Sequence, residues 1–154
     1  MPVKLDSKAP DFTASATNGE SFVLSDCAEK QVVLYFYSRD NSAGCTNEAL
    51  AFAALHRKFL AAKTIVVGIS RDSAKSHDKF KAKHKLPFVL VSDPDEDVCR
   101  LFDVIKPKKM YGREYMGVER STFLIDAKGV LRREWRKVKI PGHAEEVLAA
   151  AQAL

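Results

Sequence analysis

The stretch Gln31-Val32-Val33-Leu34-Tyr35-Phe36-Tyr37, continued by Ser38-Arg39-Asp40-Asn41-Ser42-Ala43-Gly44 and then by Cys45-Thr46-Asn47-Glu48, decides how this chain is read. Its first part is a charge-free run rich in β-branched and aromatic residues, the composition of a strand buried on both faces. Its second part gathers Ser, Asp, Asn and Gly, which mark a turn. From Glu48 onward apolar residues recur at Phe52, Leu55 and Phe59 with alanines between them, the spacing of an amphipathic helix. Cys45 therefore stands where a strand gives way to a helix, on or just before the first helical turn.

That position has a chemical consequence. The first N–H groups of a helix lack intrahelical partners, and the macrodipole adds partial positive charge there. A thiolate is stabilised at such a place, so its pKa falls below the free value of about 8.5 and the sulfur becomes a nucleophile. The plain alternative is a buried thiol acting as a small hydrophobe. Gly44 and Thr46, in a polar turn rather than on an apolar face, favour the reactive reading.

Composition bounds the rest. The 154 residues, 46% hydrophobic and 29% charged, fit one globular domain spanning 1–154 with a core of its own. No apolar run approaches a membrane span, and Met1-Pro2-Val3-Lys4-Leu5-Asp6 lacks a signal-peptide core, so a cytoplasmic protein without a membrane partner is expected. Three cysteines, an odd number, form no disulfide framework or zinc pattern, and neither a metal nor a cofactor is expected. The net charge of +5 is mild and shows no basic stripe. Lys75, Lys79, Lys81 and Lys83 read as a solvated helix face, so no nucleic-acid partner is expected.

Outward from the central stretch, Phe12-Thr13-Ala14 and Ser21-Phe22-Val23-Leu24 flank Asn18-Gly19 and predict a hairpin. Cys27 follows in a polar connection, Ser25 to Lys30. Thr64 to Ser70, Pro87 to Val91 and Ser121 to Ile125 are further core strands, and Asp126-Ala127-Lys128-Gly129 turns into a last strand, Val130 to Val138. Ser73 caps a helix running through His84 with Phe80 as its apolar contact. Ser92-Asp93-Pro94-Asp95 opens a short helix whose buried face is Val98, Leu101 and Phe102, with Cys99 beside them. Residues 103–119 show no period and read as a long loop. Val147, Leu148, Ala151 and Leu154 mark an amphipathic C-terminal helix. Strands alternating with helices, then a hairpin and a helix, make an α/β fold with a mixed central sheet.

The stretch from Tyr35 to Glu48 resembles the active-site loop of the peroxiredoxins, most closely the bacterioferritin-comigratory or Q-type subfamily. Ala9-Pro10-Asp11-Phe12, Ser92-Asp93-Pro94-Asp95 and Arg120-Ser121-Thr122-Phe123-Leu124-Ile125-Asp126 match at corresponding spacing, so the resemblance covers nearly the whole chain. It implies a thioredoxin-like fold with an N-terminal β-hairpin extension. It also implies reduction of hydrogen peroxide or alkyl hydroperoxides by a peroxidatic cysteine at Cys45. Ser42 and Arg120 match the family's catalytic hydroxyl and arginine, and Glu48 matches an acidic residue that orients the arginine. The chemistry asks for such groups: thiolate attack oxidises sulfur to sulfenic acid and moves negative charge onto the departing oxygen, where fixed donors are needed.

Several positions depart from the family pattern. Ser38 stands where proline is usual, Ser42 where threonine is usual, and Ala43 where proline is frequent. Leu50 and Lys81 occupy the two usual sites of a resolving cysteine. Cys99 is a possible resolving residue, matching a cysteine of some relatives. The leading expectation is a one-cysteine cycle reduced by thioredoxin, glutaredoxin or a small thiol, in a monomer or homodimer. Two other readings stand beside it. A disulfide reductase would need Cys-x-x-Cys, and this chain has Ser42-Ala43-Gly44-Cys45. A peroxide sensor of weak turnover would share the scaffold, and peroxide consumption with a thiol reductant separates it from an enzyme.

Overall fold

The computed structural model describes residues 3–27 and 29–154. Met1 and Pro2 of the chain start, and Ala28 of the Ser25–Lys30 connection, lie outside the described residues.

Strand β3 (Gln31–Phe36) is buried at every position. Successive side chains of a strand point to opposite faces, so β3 feeds two cores. Val32, Leu34 and Phe36 enter one layer with Phe12, Phe22, Phe102 and Phe123. Val33, Tyr35 and Tyr37 enter the other with Phe52, Phe59, Phe80 and Val147. This two-sided burial is what an uncharged apolar run records.

In chain order, β1 (Thr13–Ser15) and β2 (Ser21–Val23) precede β3 and form the expected antiparallel hairpin. Its connection is a 3-10 turn, Thr17–Gly19, in which both Asn18 and Gly19 have positive φ. After β3 come α1 (Ala43–Ala54) and α2 (His56–Ala61). The periodic pattern read as one helix is divided at Leu55, whose backbone sits at φ −101 and ψ 6. Then follow β4 (Thr64–Ser70), α3 (Ala74–His84), β5 (Val89–Ser92) and α4 (Asp97–Leu101). Ser73 caps α3 as expected, its side chain accepting from the Ser76 N–H. In α4 the buried residues are Val98 and Cys99, whereas Leu101 is exposed, correcting its assignment to the buried face.

Residues 103–119 are not a loop. They form β6 (Ile105–Met110) and β7 (Arg113–Val118), an antiparallel pair closed by Tyr111 and Gly112, both at positive φ. Two central residues at φ > 0 are the signature of a type I′ hairpin turn. The hairpin escapes a periodicity search because both strands are largely exposed, so no apolar alternation is written into them. The chain ends with β8 (Ser121–Ile125), β9 (Leu131–Trp135) and α5 (His143–Gln152). Leu154 lies beyond α5 and is exposed, so it is not part of the buried face.

The central sheet has strand order β5-β4-β3-β8-β9. β3 runs parallel to β4 and antiparallel to β8, so the sheet is mixed. The helices α1 and α5 lie on the Tyr35 side and the Cys99 helix on the Phe36 side. The C-terminal end of the central strand β3 opens directly into the loop that leads to Cys45.

Candidate active site

The sheet continues one residue past β3, where the Tyr37 N–H donates to the Ile69 carbonyl at 3.0 Å. The chain then turns through Ser38 to Ser42, with Asn41 at φ +67. Asn is among the residues that tolerate this region best. Ser42 is the N-cap of α1: its Oγ accepts from the Cys45 N–H at 3.3 Å. Cys45 is thus in the first helical turn and 1% exposed. Tyr35 and Phe52 stack behind it at 4.8 Å between ring centroids and fix α1 against the sheet.

The Cys45 sulfur is surrounded by donors. Arg120 Nη2 donates to it at 3.2 Å, and Ser38 Oγ lies 3.4 Å away. Burial pushes the thiol up, but the Arg39 backbone N–H, the Ser38 and Ser42 hydroxyls and the Arg120 charge outweigh it. The net result lies below the ordinary thiol value. The serine at position 38, a departure from the usual proline, thus brings a hydroxyl to the sulfur.

Arg120 precedes β8, and its carbonyl accepts from the Val138 N–H at 3.0 Å. Its Nη1 donates to Glu48 Oε1 at 2.6 Å, leaving Nη2 for the sulfur. Glu48 sits on α1 and is 1% exposed; burial pushes its carboxyl to about 7 against the pull of Arg120. The second carboxylate oxygen, Glu48 Oε2, has no hydrogen-bond partner. A Cβ on Gly44 would press on Ile140 Cδ1 at 3.3 Å and meet Arg120 Nη2 at an ordinary contact distance of 3.6 Å. Four of the five residues singled out around Cys45, namely Ser38, Ser42, Glu48 and Arg120, thus converge on one point.

The fifth does not. Cys99 is packed in the layer of Phe36 and Phe102, whereas Cys45 is packed in the layer of Tyr35 and Phe52. The central sheet lies between the two sulfurs. Burial, with Asp93 beside it, pushes the Cys99 thiol far above its ordinary value. Cys27, half-buried, packs against the same layer as Cys99.

Two features of the site have little signal in the sequence. Lys106 and Lys108 of the β6–β7 hairpin, with Lys137, line an open groove that includes Arg120. Behind the loop, Tyr37, Asp40, Ser76 and His77 form a buried hydrogen-bonded cluster. Asp40, Asp72 and His77 also bring potential metal-ligand atoms within 4.8 Å of one another, but both Asp40 oxygens and both His77 nitrogens already face hydrogen-bond partners.

A model of the AhpC/TSA family matches residues 5–134. Peroxiredoxin Bcp of Bacillus subtilis is 47% identical over 148 residues, covering 96% of this chain and 94% of that protein. Peroxiredoxin Bcp of Xanthomonas campestris is 50% identical over 143 residues, covering 93% and 89%. The chain belongs to the AhpC/TSA family, the peroxiredoxins. Solved peroxiredoxins agree in fold. Xanthomonas campestris peroxiredoxin Q superposes with a TM-score of 0.89 at 49% identity, covering 92% of this chain and 90% of that one. A cysteine-to-serine mutant of Xylella fastidiosa PrxQ gives 0.94 at 41% identity, covering 99% and 98%. Another Xanthomonas structure is described in terms of alkyl peroxide reduction activity. This peroxiredoxin is a thiol-dependent peroxidase with the thioredoxin-like fold, its mixed sheet flanked by helices.

Proposed function

We propose that Cys45 is the peroxidatic nucleophile, assisted by Ser42, Ser38 and Arg120 and supported by Glu48, and that alkyl hydroperoxides are accepted besides hydrogen peroxide. The observation that carries this reading is the Cys45 sulfur at a helix N-terminus with Arg120 Nη2 3.2 Å away. The thiolate attacks one peroxide oxygen; an S–O bond forms as the O–O bond breaks, and the second oxygen leaves as alkoxide or hydroxide and takes up a proton. The sulfur becomes sulfenic acid. Arg120 and the helix-terminal donors face the charge that shifts from sulfur to oxygen. Arg suits this place because it stays charged and presents a planar fork, one arm on Glu48 and one on the reacting centre.

An external thiol then attacks the sulfenic acid, releasing water and forming a mixed disulfide that a second thiol resolves. This one-cysteine cycle draws on thioredoxin, glutaredoxin or a small thiol. A cytoplasmic location suits it, because all three thiols are free. Among the described residues no helix is long and apolar enough to cross a membrane. The test is mass spectrometry after one equivalent of peroxide in the presence of a sulfenic-acid trap. The adduct is expected on Cys45, and an adduct on Cys27 or Cys99 alone would overturn the assignment.

A further inference from the structure

Apart from Arg120, the donors around the Cys45 sulfur sit on a loop, Ser38 to Ser42, that has no regular secondary structure of its own. What holds that loop is Asp40. Its side chain is 1% exposed and bonds to the end of β3 and to α3 rather than to Cys45. Asp40 Oδ1 accepts from the Tyr37 hydroxyl at 2.7 Å. Asp40 Oδ2 accepts from the Ser76 hydroxyl at 2.8 Å and from His77 Nδ1 at 2.7 Å. The Asp40 N–H donates to Asp72 Oδ2 at 2.8 Å. Every strong partner of Asp40 thus comes from the end of β3, from the segment after β4, or from α3, and together they moor the loop to the sheet.

His77 is fully buried on α3. Its Nδ1 faces a carboxylate oxygen and its Nε2 faces the Val91 carbonyl of β5 at 2.9 Å. Neither oxygen can donate, so each ring nitrogen has to supply a proton. The ring is then an imidazolium and Asp40 its counter-ion. The other groups facing the ring are the Asp72 carboxylate, the Tyr37 hydroxyl at 3.4 Å from Nδ1 and the Ser70 hydroxyl at 3.4 Å from Nε2. Those hydroxyls are secondary contacts at the edge of hydrogen-bond range. No part of this cluster touches the sulfur, so catalysis as described leaves it unused.

We propose that His77 is a positioning residue for peroxide reduction: as a buried imidazolium bonded to Asp40 and Val91, it holds the Ser38–Ser42 loop in the shape that lets the loop stabilise the Cys45 thiolate. The proposal rests on the reading of Cys45 as nucleophile. Loss of the His77 charge leaves Asp40 a buried carboxylate without a cation, a costly state relieved by letting the loop swing toward water. The Arg39 N–H and the Ser38 hydroxyl move with it. The thiolate then loses donors, while Arg120, anchored separately by Glu48, stays in place.

Two measurements test this. Nitrogen-15 NMR of the imidazole in the wild-type protein at pH 7 is expected to show both nitrogens of His77 protonated; a neutral tautomer would overturn the proposal. His77→Leu is expected to move the inflection of Cys45 alkylation to higher pH. Each pH unit gained there lowers the thiolate fraction at neutral pH by about tenfold. The second-order rate with peroxide falls in parallel, and the alkylation profile of Cys27 stays unchanged. His77→Asn, which restores a donor toward Asp40, recovers part of the loss. A folded His77→Leu protein whose Cys45 profile and peroxide rate match the wild type removes His77 from the mechanism. Asp40→Asn makes the same comparison where His77→Leu does not fold. The sulfenic-acid trapping experiment fails separately if Cys45 itself is not the nucleophile.

Discussion

At the residue scale the proposed chemistry turns on one sulfur, Cys45, whose pKa lies below the ordinary thiol value in spite of burial. That has a thermodynamic consequence. The unfolded chain binds the Cys45 proton up to the free-thiol pKa, while the folded protein has already released it, so the unfolded state holds more protons in between. Stability rises with pH in that window. The contribution is complete above the free-thiol value and is lost as pH falls through the folded value. Urea unfolding of the reduced protein and of Cys45→Ala at pH 6 and pH 9 is expected to show a gap that shifts in favour of the wild type at the higher pH. A gap independent of pH means that the thiolate is not preferentially stabilised. Arg120 provides the second test. Arg120→Lys keeps the charge but not the fork that reaches Glu48 Oε1 and Cys45 Sγ together. The peroxide rate constant is expected to fall by about 10²–10³-fold, the range for loss of a preorganised charge-stabilising donor, with little change in melting temperature. A rate constant equal to that of the wild type would take Arg120 out of the site.

At the scale of elements, α1 is a helix whose first turn serves two purposes. Ser42 caps it and also contributes to holding the thiolate. Ser42→Ala removes both effects, so a stability loss of about 1 kcal/mol is expected together with a higher Cys45 pKa. Ser42→Thr keeps the hydroxyl and is expected to keep both properties; chemical denaturation and alkylation kinetics on the two variants check this. Elements buried on two faces were legible from sequence, because β3, β4 and β8 are charge-free runs that few other structures accommodate. The β6–β7 hairpin was not, because Lys106, Pro107, Lys108 and Lys109 describe an exposed ribbon with no core to face. Its one local clue was the pair Tyr111-Gly112 at the turn. The site divides in the same way. Cys45, Ser42 and Ser38 lie within one short stretch that runs from a loop into the first turn of α1, and read together. Arg120 is 75 residues away and becomes visible only through family resemblance or the folded chain. His77 is one of two histidines in a lysine-rich helix, and its partners are supplied by other segments.

At the scale of the whole molecule, the central sheet is a wall between thiols. Cys45 belongs to the Tyr35 side, Cys27 and Cys99 to the Phe36 side. A disulfide requires Cα atoms within about 7 Å and converging Cβ vectors, so a Cys45–Cys99 bridge demands that a segment leave one layer and pass around the sheet edge. Cys99 is further disfavoured as a partner because Asp93 accepts from the Cys99 N–H at 2.7 Å and from the Val98 N–H at 3.1 Å, fixing α4 in place. The two positions that match the usual sites of a resolving cysteine hold Leu50, exposed on α1, and Lys81, whose Nζ donates to the Phe88 carbonyl at 3.0 Å. On the proposed assignment a sulfenic acid on Cys45 waits for an external thiol, and while it waits a second peroxide competes for it. Replacing Cys27 and Cys99 together by serine is expected to leave turnover with a dithiol reductant within about twofold of the wild type, since substitutions outside the reacting centre leave transition-state binding intact. Sulfinic acid on Cys45 is expected to accumulate at modest peroxide excess in both proteins, and more slowly as the thiol concentration is raised. Loss of turnover in the double variant, with a Cys45–Cys99 bridge in the oxidised wild type, would mean that the molecule opens around its own sheet in every cycle.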